Sequence, residues 1–194
     1  MVESKRAITV GIPGVGKSTV INRAAKMLND IGISASVAVF GTIMLEEAKE
    51  LGITNRDELR KMPIQEQKRL QEQAAMKIAA MKDDVVMIDT HLFISTKKGY
   101  YPGLPISLLN ILKPTNFIMI AAEPEEILRR RLQDKTRERD ICKPEEIKHD
   151  LEIAQIMVAS CSILTGAPFI TIFNNDGAID KASSQIVELF SDER

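Results

Sequence analysis

The sequence is poor in cysteine, carries no excess of either charge, and nowhere strings together enough apolar residues to cross a bilayer. Each shortage closes off a class of function. Two cysteines occur, Cys142 and Cys161, and neither stands at metal-ligand spacing with His91 or His149. Two thiols do not make a disulfide framework, so a reducing, cytoplasmic setting is expected. Lys and Arg number 26 against 27 for Asp and Glu. That balance excludes the global basic field behind non-specific nucleic-acid binding: no nucleic-acid partner is expected, and any anion site must be local. No run approaches the roughly twenty apolar residues of a membrane span, and the polar start from Met1 to Arg6 leads straight into a strand-like segment, so neither a membrane nor an export signal is expected. Repeats, low-complexity tracts and Gly/Ser linkers are also missing. The 194 residues therefore read as a single domain, 1–194, with local excursions.

What is present alternates between two periodicities. Short apolar runs rich in β-branched residues occur at Ala7 to Val10, Val37 to Phe40, Val85 to Ile88, Phe117 to Ala121 and Phe169 to Phe173, and they predict buried strands. Between them the spacing predicts helices over Gly16 to Ile31, Thr42 to Leu51, Pro63 to Met81, Pro124 to Gln133, Pro144 to Leu164 and Ala178 to Phe190. Pro63, Pro124 and Pro144 suit a first helical turn, where a missing N–H costs nothing. Ile147, Leu151, Ala154, Val158 and Cys161 form one apolar stripe with Gly166 as its stop, which fits either the core or a neighbouring subunit. Strands alternating with helices predict an α/β fold, a five-stranded parallel sheet with helices on both faces, with ligands beyond the carboxyl ends of the strands.

Gly11-Ile12-Pro13-Gly14-Val15-Gly16-Lys17-Ser18, followed by Thr19, has Walker A spacing at the end of a predicted strand and the start of a predicted helix. Glycines let the backbone close round phosphate oxygens, while the free N–H groups and dipole of the helix start attract anions. Lys17 is expected to bridge the β- and γ-phosphates of ATP, and the Ser18 hydroxyl to help hold Mg²⁺. A glycine-rich turn without a ligand has no use for the Lys-Ser pair. Asp89 ends the run Val85-Val86-Met87-Ile88 beside this loop and is expected on the metal, although acids also end strands for no functional reason.

A P-loop leaves the reaction open. Thr90-His91-Leu92 follows Asp89 where a switch GTPase carries Asp-x-x-Gly, no Asn-Lys-x-Asp occurs, and motor and transporter ATPases need a longer chain. A small kinase remains, and it needs positive charge on the transferring phosphoryl group. Five arginines fall between positions 129 and 139: Arg129, Arg130, Arg131, Arg137 and Arg139. They predict a short lid with arginine fingers, with Arg130, Arg137 and Arg139 as catalytic candidates beside Lys17. For Arg129 a solvated helix face is the favoured reading.

The chain resembles the archaeal-type adenylate kinases nearly end to end. The residues that carry the resemblance are the P-loop through Thr19, Phe40-Gly41-Thr42-Ile43-Met44, Arg56-Asp57-Glu58-Leu59-Arg60-Lys61-Met62, Asp89-Thr90-His91, Gly99-Tyr100-Tyr101-Pro102-Gly103-Leu104-Pro105 and Thr136-Arg137-Glu138-Arg139-Asp140. The resemblance implies ATP + AMP to 2 ADP, an AMP-binding insertion at about 41–82, a moving lid at about 134–143 and often a homotrimer. It places Gly41, Met44, Arg60, Asp89 and His91 on the AMP side, with Arg60 on the AMP phosphate. An Arg fork on a helix suits a compact dianion, but an ordinary exposed charge fits Arg60 equally well. His91 either touches phosphate, orients Asp89 or is structural; His149 is expected to face solvent. The Leu92 to Leu104 loop is expected to wall the AMP side, with Thr96-Lys97-Lys98 where the family often has Thr-Pro. The lid is too short for a zinc knuckle. Two other functions fit the same residues: a related kinase for another nucleoside monophosphate or a small metabolite, and a nucleotide-gated assembly factor.

Overall fold

The computed structural model describes residues 4–96, 99–133 and 143–191, with the backbone alone at 56, 57, 60, 95 and 96. In chain order the elements are β1 (Lys5–Val10), α1 (Lys17–Asp30), β2 (Ala35–Val39), α2 (Phe40–Lys49), α3 (Arg56–Lys61), α4 (Ile64–Ala79), β3 (Val85–Asp89), β4 (Phe93–Thr96), β5 (Gly99–Pro102), α5 (Ile106–Leu112), β6 (Asn116–Ala121), α6 (Pro124–Gln133), α7 (Pro144–Thr165), β7 (Phe169–Phe173) and α8 (Ile179–Ser191). Pro124 and Pro144 do open their helices, and Pro63 caps α4. Gly166 closes α7 at φ 74, its N–H bonded to the Ser162 carbonyl at 2.8 Å.

Five strands form one parallel sheet in the order β2-β3-β1-β6-β7. Val85 to Ile88 and Phe117 to Ala121 are buried on both faces, as an unbroken apolar strand in a covered parallel sheet must be. The topology decides which helices cover which face. From β1 to β2 the chain moves toward one edge, whereas β2 to β3, β3 to β6 and β6 to β7 all move toward the other. Right-handed crossovers then put α1 on one face and α4, α5 and α7 on the opposite face. The helix packing agrees: α8 lies on α1, α4 on α5, and α5 on α7. The winding reverses between β1 and β3, which opens the crevice for ligands at their carboxyl ends.

Three local features depart from the sequence expectation. Phe40 opens α2 instead of ending β2, because the β2–β3 ladder runs out where Val39 meets Asp89. The wall expected between Leu92 and Leu104 contains an antiparallel hairpin, β4 with β5, whose Tyr100 ring meets Phe93 edge-on at 4.8 Å and whose hydroxyl donates to Asp150 of α7 at 3.0 Å. Burial and that hydrogen bond raise the Tyr100 pKa. Residues 106–112, left without an element by periodicity, form α5, with Leu108, Leu109 and Leu112 buried. Among the described residues, no helix is long and apolar enough to cross a membrane.

Candidate active site

The phosphate loop runs from the end of β1 to the start of α1. Gly14 and Gly16 take φ 97 and φ 78, left-handed values that side-chain-bearing residues adopt only with strain. Gly11 is required for a different reason: a Cβ there would sit 2.7 Å from the Ile120 carbonyl oxygen and 2.9 Å from Val15 Cγ2. The loop therefore lies flat against the end of β6. Its free N–H groups open the first turn of α1, the geometry that takes an anion.

Asp89 meets this turn from β3. The register Thr9↔Asp89 brings the carboxyl end of β3 level with that of β1, and three contacts follow. Lys17 Nζ forms an ion pair with Asp89 Oδ1 and donates to the Thr90 carbonyl oxygen at 3.1 Å, while Ser18 Oγ donates to Asp89 Oδ2 at 3.0 Å. Burial pulls the Lys17 ammonium down to about 8, since a low-dielectric setting disfavours its charged form. A hydroxyl and a carboxylate meeting at the mouth of an anion cradle are hard oxygen donors, the set that Mg²⁺ takes. The residues present thus fit a magnesium site of the kind expected from the sequence.

Two further elements hold the loop from outside. Arg131 of α6 donates through Nε to the Pro13 carbonyl oxygen at 2.8 Å, and Asn174, just after β7, donates through Nδ2 to the Val15 carbonyl oxygen at 2.8 Å. Arg130, the preceding residue of α6, pairs with Glu126 and Asp176. Its bond to Asp176 is the main reason that carboxyl titrates below the ordinary carboxylate range. A cavity of about 270 Å³ opens beside Gly16 and Thr19, bounded by Arg130, the turn 174–177 and Ile179.

The structure brings the loop, Lys17, Ser18, Asp89 and Arg130 to one end of the sheet. Gly41 and Met44 lie on α2, whose start follows the Val39↔Asp89 register on the same edge. Met44 is buried in the core and Gly41 is half-buried, while His91 is exposed just past β3. Arg60 stands on α3, its backbone alone described. Arg137 and Arg139 lie outside the described residues, as does Cys142. Arg129 is half-exposed and paired with Asp176, and His149 is exposed, as expected of both. Among the described residues, no three His, Cys, Asp or Glu side chains gather as a metal cage.

Sequence reasoning missed Asn174 and Asp176, and it counted Arg131 in the arginine cluster without foreseeing its bond to the phosphate loop. A signal for Asn174 and Asp176 existed: Asn174-Asn175-Asp176-Gly177 is a polar turn at the carboxyl end of the fifth parallel strand, where ligands of such sheets bind.

Comparison with known proteins agrees with this geometry. Residues 10–148 match the family model described as "AAA domain". The chain is 43% identical over 189 residues to the adenylate kinase of Methanocaldococcus jannaschii, covering 96% of this chain and 98% of that protein. It is 40% identical over 187 residues to the adenylate kinase of Thermoplasma acidophilum, again covering 96% and 98%. Among solved structures, shikimate kinase from Acinetobacter baumannii superposes with a TM-score of 0.59 at 19% identity, covering 100% of this chain and 96% of that one; at that identity the likeness speaks for the fold.

Proposed function

This chain belongs to the adenylate kinase family, and from that membership we propose how its residues carry a phosphoryl group between ATP and AMP to give two ADP. The observation that carries the reading is the meeting of Lys17 and Ser18 with Asp89, residues from two distant segments, at the mouth of a left-handed glycine turn. ATP lies with its phosphates along Gly11 to Thr19 and its base toward the cavity beside Gly16 and Thr19. Lys17 leaves Asp89 for the β- and γ-phosphate oxygens, an exchange of one anionic partner for another.

Ser18 and Asp89 would hold Mg²⁺, which would supply charge neutralisation on the ATP phosphates when bound. AMP occupies the insertion at about 41–82, with Arg60 on its phosphate and Gly41, Met44, Asp89 and His91 around it. Its phosphate oxygen is already an anionic nucleophile at neutral pH, so the chain has no proton to remove. The remaining work is positioning and charge stabilisation. Arg130 supplies one fixed charge. Arg137 and Arg139 arrive with the lid at about 134–143 and exclude water that would otherwise accept the phosphoryl group. The family resemblance carries the further proposals of a cytoplasmic location and a homotrimer.

The test is ADP production from ATP across AMP, CMP, UMP and GMP and a panel of small hydroxyl acceptors. AMP is expected to lead by at least about tenfold in kcat/KM, about 1.4 kcal/mol of discrimination. A faster reaction with another acceptor moves the reading to that substrate. ATP turnover that no acceptor changes overturns it in favour of a nucleotide-gated switch.

A further inference from the structure

One edge of the Arg130 guanidinium is committed to partners within the protein. Nε donates to Asp176 Oδ1 at 3.2 Å. Nη2 donates to the same oxygen at 2.8 Å, to Glu126 Oε2 at 3.2 Å and to the Asn174 carbonyl oxygen at 2.9 Å. The Asp176 N–H donates to Glu126 Oε2 at 2.9 Å, which closes a ring of two carboxylates and one cation between α6 and the turn after β7. Nη1, by contrast, is buried and has no hydrogen-bond partner among the described residues.

This asymmetry has a physical meaning. A free arginine is among the most flexible side chains, and its ordering entropy opposes any contact it makes. Here Nε and Nη2 are fixed before substrate arrives, so that entropy is lost on folding and not during turnover. A buried, unpartnered N–H of a cation is unfavourable, and an incoming phosphate oxygen relieves that deficit. The turn that does the fixing also supports the phosphate loop, because Asn174 donates its Nδ2 to Val15 while giving its carbonyl to Arg130.

We propose that Asp176 is a positioning residue: with Glu126 and the Asn174 carbonyl it clamps the Nε/Nη2 edge of Arg130, leaving Nη1 as the donor for the nucleotide phosphates. Asp176 does not touch substrate; it acts through Arg130. The assignment rests on the reading of Arg130 as a phosphate-facing charge. Arg129 shares the same carboxylate from the exposed side, through Oδ2.

A double-mutant cycle in the full-length enzyme tests this. Asp176→Asn keeps shape and backbone while removing the charge, and it is expected to lower kcat/KM for ATP by at least about tenfold, with KM for AMP unchanged within about twofold. In an Arg130→Ala background the same change is expected to alter kcat/KM by less than about twofold, because the group it positions is gone. If Asp176→Asn fails to fold, Glu126→Gln enters the same cycle in its place. Equal losses in both backgrounds mean a merely structural residue and overturn the proposal, as does no loss in either. An Arg130→Ala enzyme as active as the parent overturns both the proposal and the reading of Arg130; a crippled Arg130→Ala enzyme with additive Asp176→Asn losses overturns the clamp alone.

Discussion

Lys17 and Asp89 face each other as a buried ion pair, the lysine 7% and the aspartate 9% exposed, so the residue that must grip ATP waits on a carboxylate in the dry floor of its own site. Burial brings the ammonium down to about 8, and this makes ATP binding pH-dependent in a definite sense. The phosphate-bound state requires the charged amine. Below pH 8 the free enzyme already holds the proton, and above it binding must take one up, so affinity falls as pH rises through 8. From pH 7 to pH 9 the protonated fraction drops about tenfold, and the ATP dissociation constant is expected to rise by the same factor. Calorimetry at pH 8.5 in two buffers of different ionisation enthalpy reads the proton uptake. A Kd flat across this range rules the exchange out.

Replacing Gly16 by alanine is expected to abolish tight ATP binding while leaving the protein folded. At φ 78 the new residue incurs about 1–2 kcal/mol of backbone strain, and its Cβ runs into the Asn174 carboxamide. Relief requires the Asn174 side chain to swing away, which costs its hydrogen bond to the Val15 carbonyl and loosens the cradle from outside without touching the core. ATP affinity should fall by at least about 10²-fold, with a cooperative thermal transition retained. Binding within tenfold of the parent would show that the loop adapts and that φ at this position does not matter.

The fold was legible because its strands are buried on both faces. Val85 to Ile88 and Phe117 to Ala121 have no exposed face to break the run, so apolar content alone marks them. The phosphate loop was legible because its glycines, lysine and serine are consecutive. The hairpin was hidden for the opposite reason: Ile94, Tyr100 and Tyr101 are exposed, leaving no period-2 alternation to read, and α5 spans only seven residues. Asn174 and Asp176 act through contacts with Val15 and Arg130 far away in sequence, and no local spacing encodes a contact of that range. Arg60, Arg137 and Arg139 remain proposals from charge and resemblance.

Removing the Ser18 hydroxyl separates metal binding from nucleotide binding. Ser18 Oγ donates to Asp89 Oδ2 at 3.0 Å, and in the proposed site both groups would turn onto Mg²⁺. Ser18→Ala should raise the Mg²⁺ concentration for half-maximal activity by about tenfold, roughly 1.4 kcal/mol of lost coordination. Affinity for ATP in excess chelator should stay within about twofold, since the backbone cradle is unaltered. An unchanged magnesium requirement would remove Ser18 from the metal.

Arg129 and Arg137 belong to one arginine cluster in the sequence, and they are expected to behave oppositely. Arg129 is half-exposed and spends its charge on Asp176 at the surface, where an ion pair contributes little because water screens it. Arg129→Ala should therefore keep kcat within about twofold. Arg137, beyond the end of α6 in the proposed lid, is assigned to charge developing on the transferring phosphoryl group. Because that charge exists only in the transition state, Arg137→Ala should lower kcat by at least about 10²-fold, about 2.7 kcal/mol of barrier, and change KM for either nucleotide much less. The contrast between kcat and KM decides the matter: a variant that loses ATP affinity and keeps kcat would make Arg137 a ground-state anchor, and one that loses neither would leave the lid without its finger.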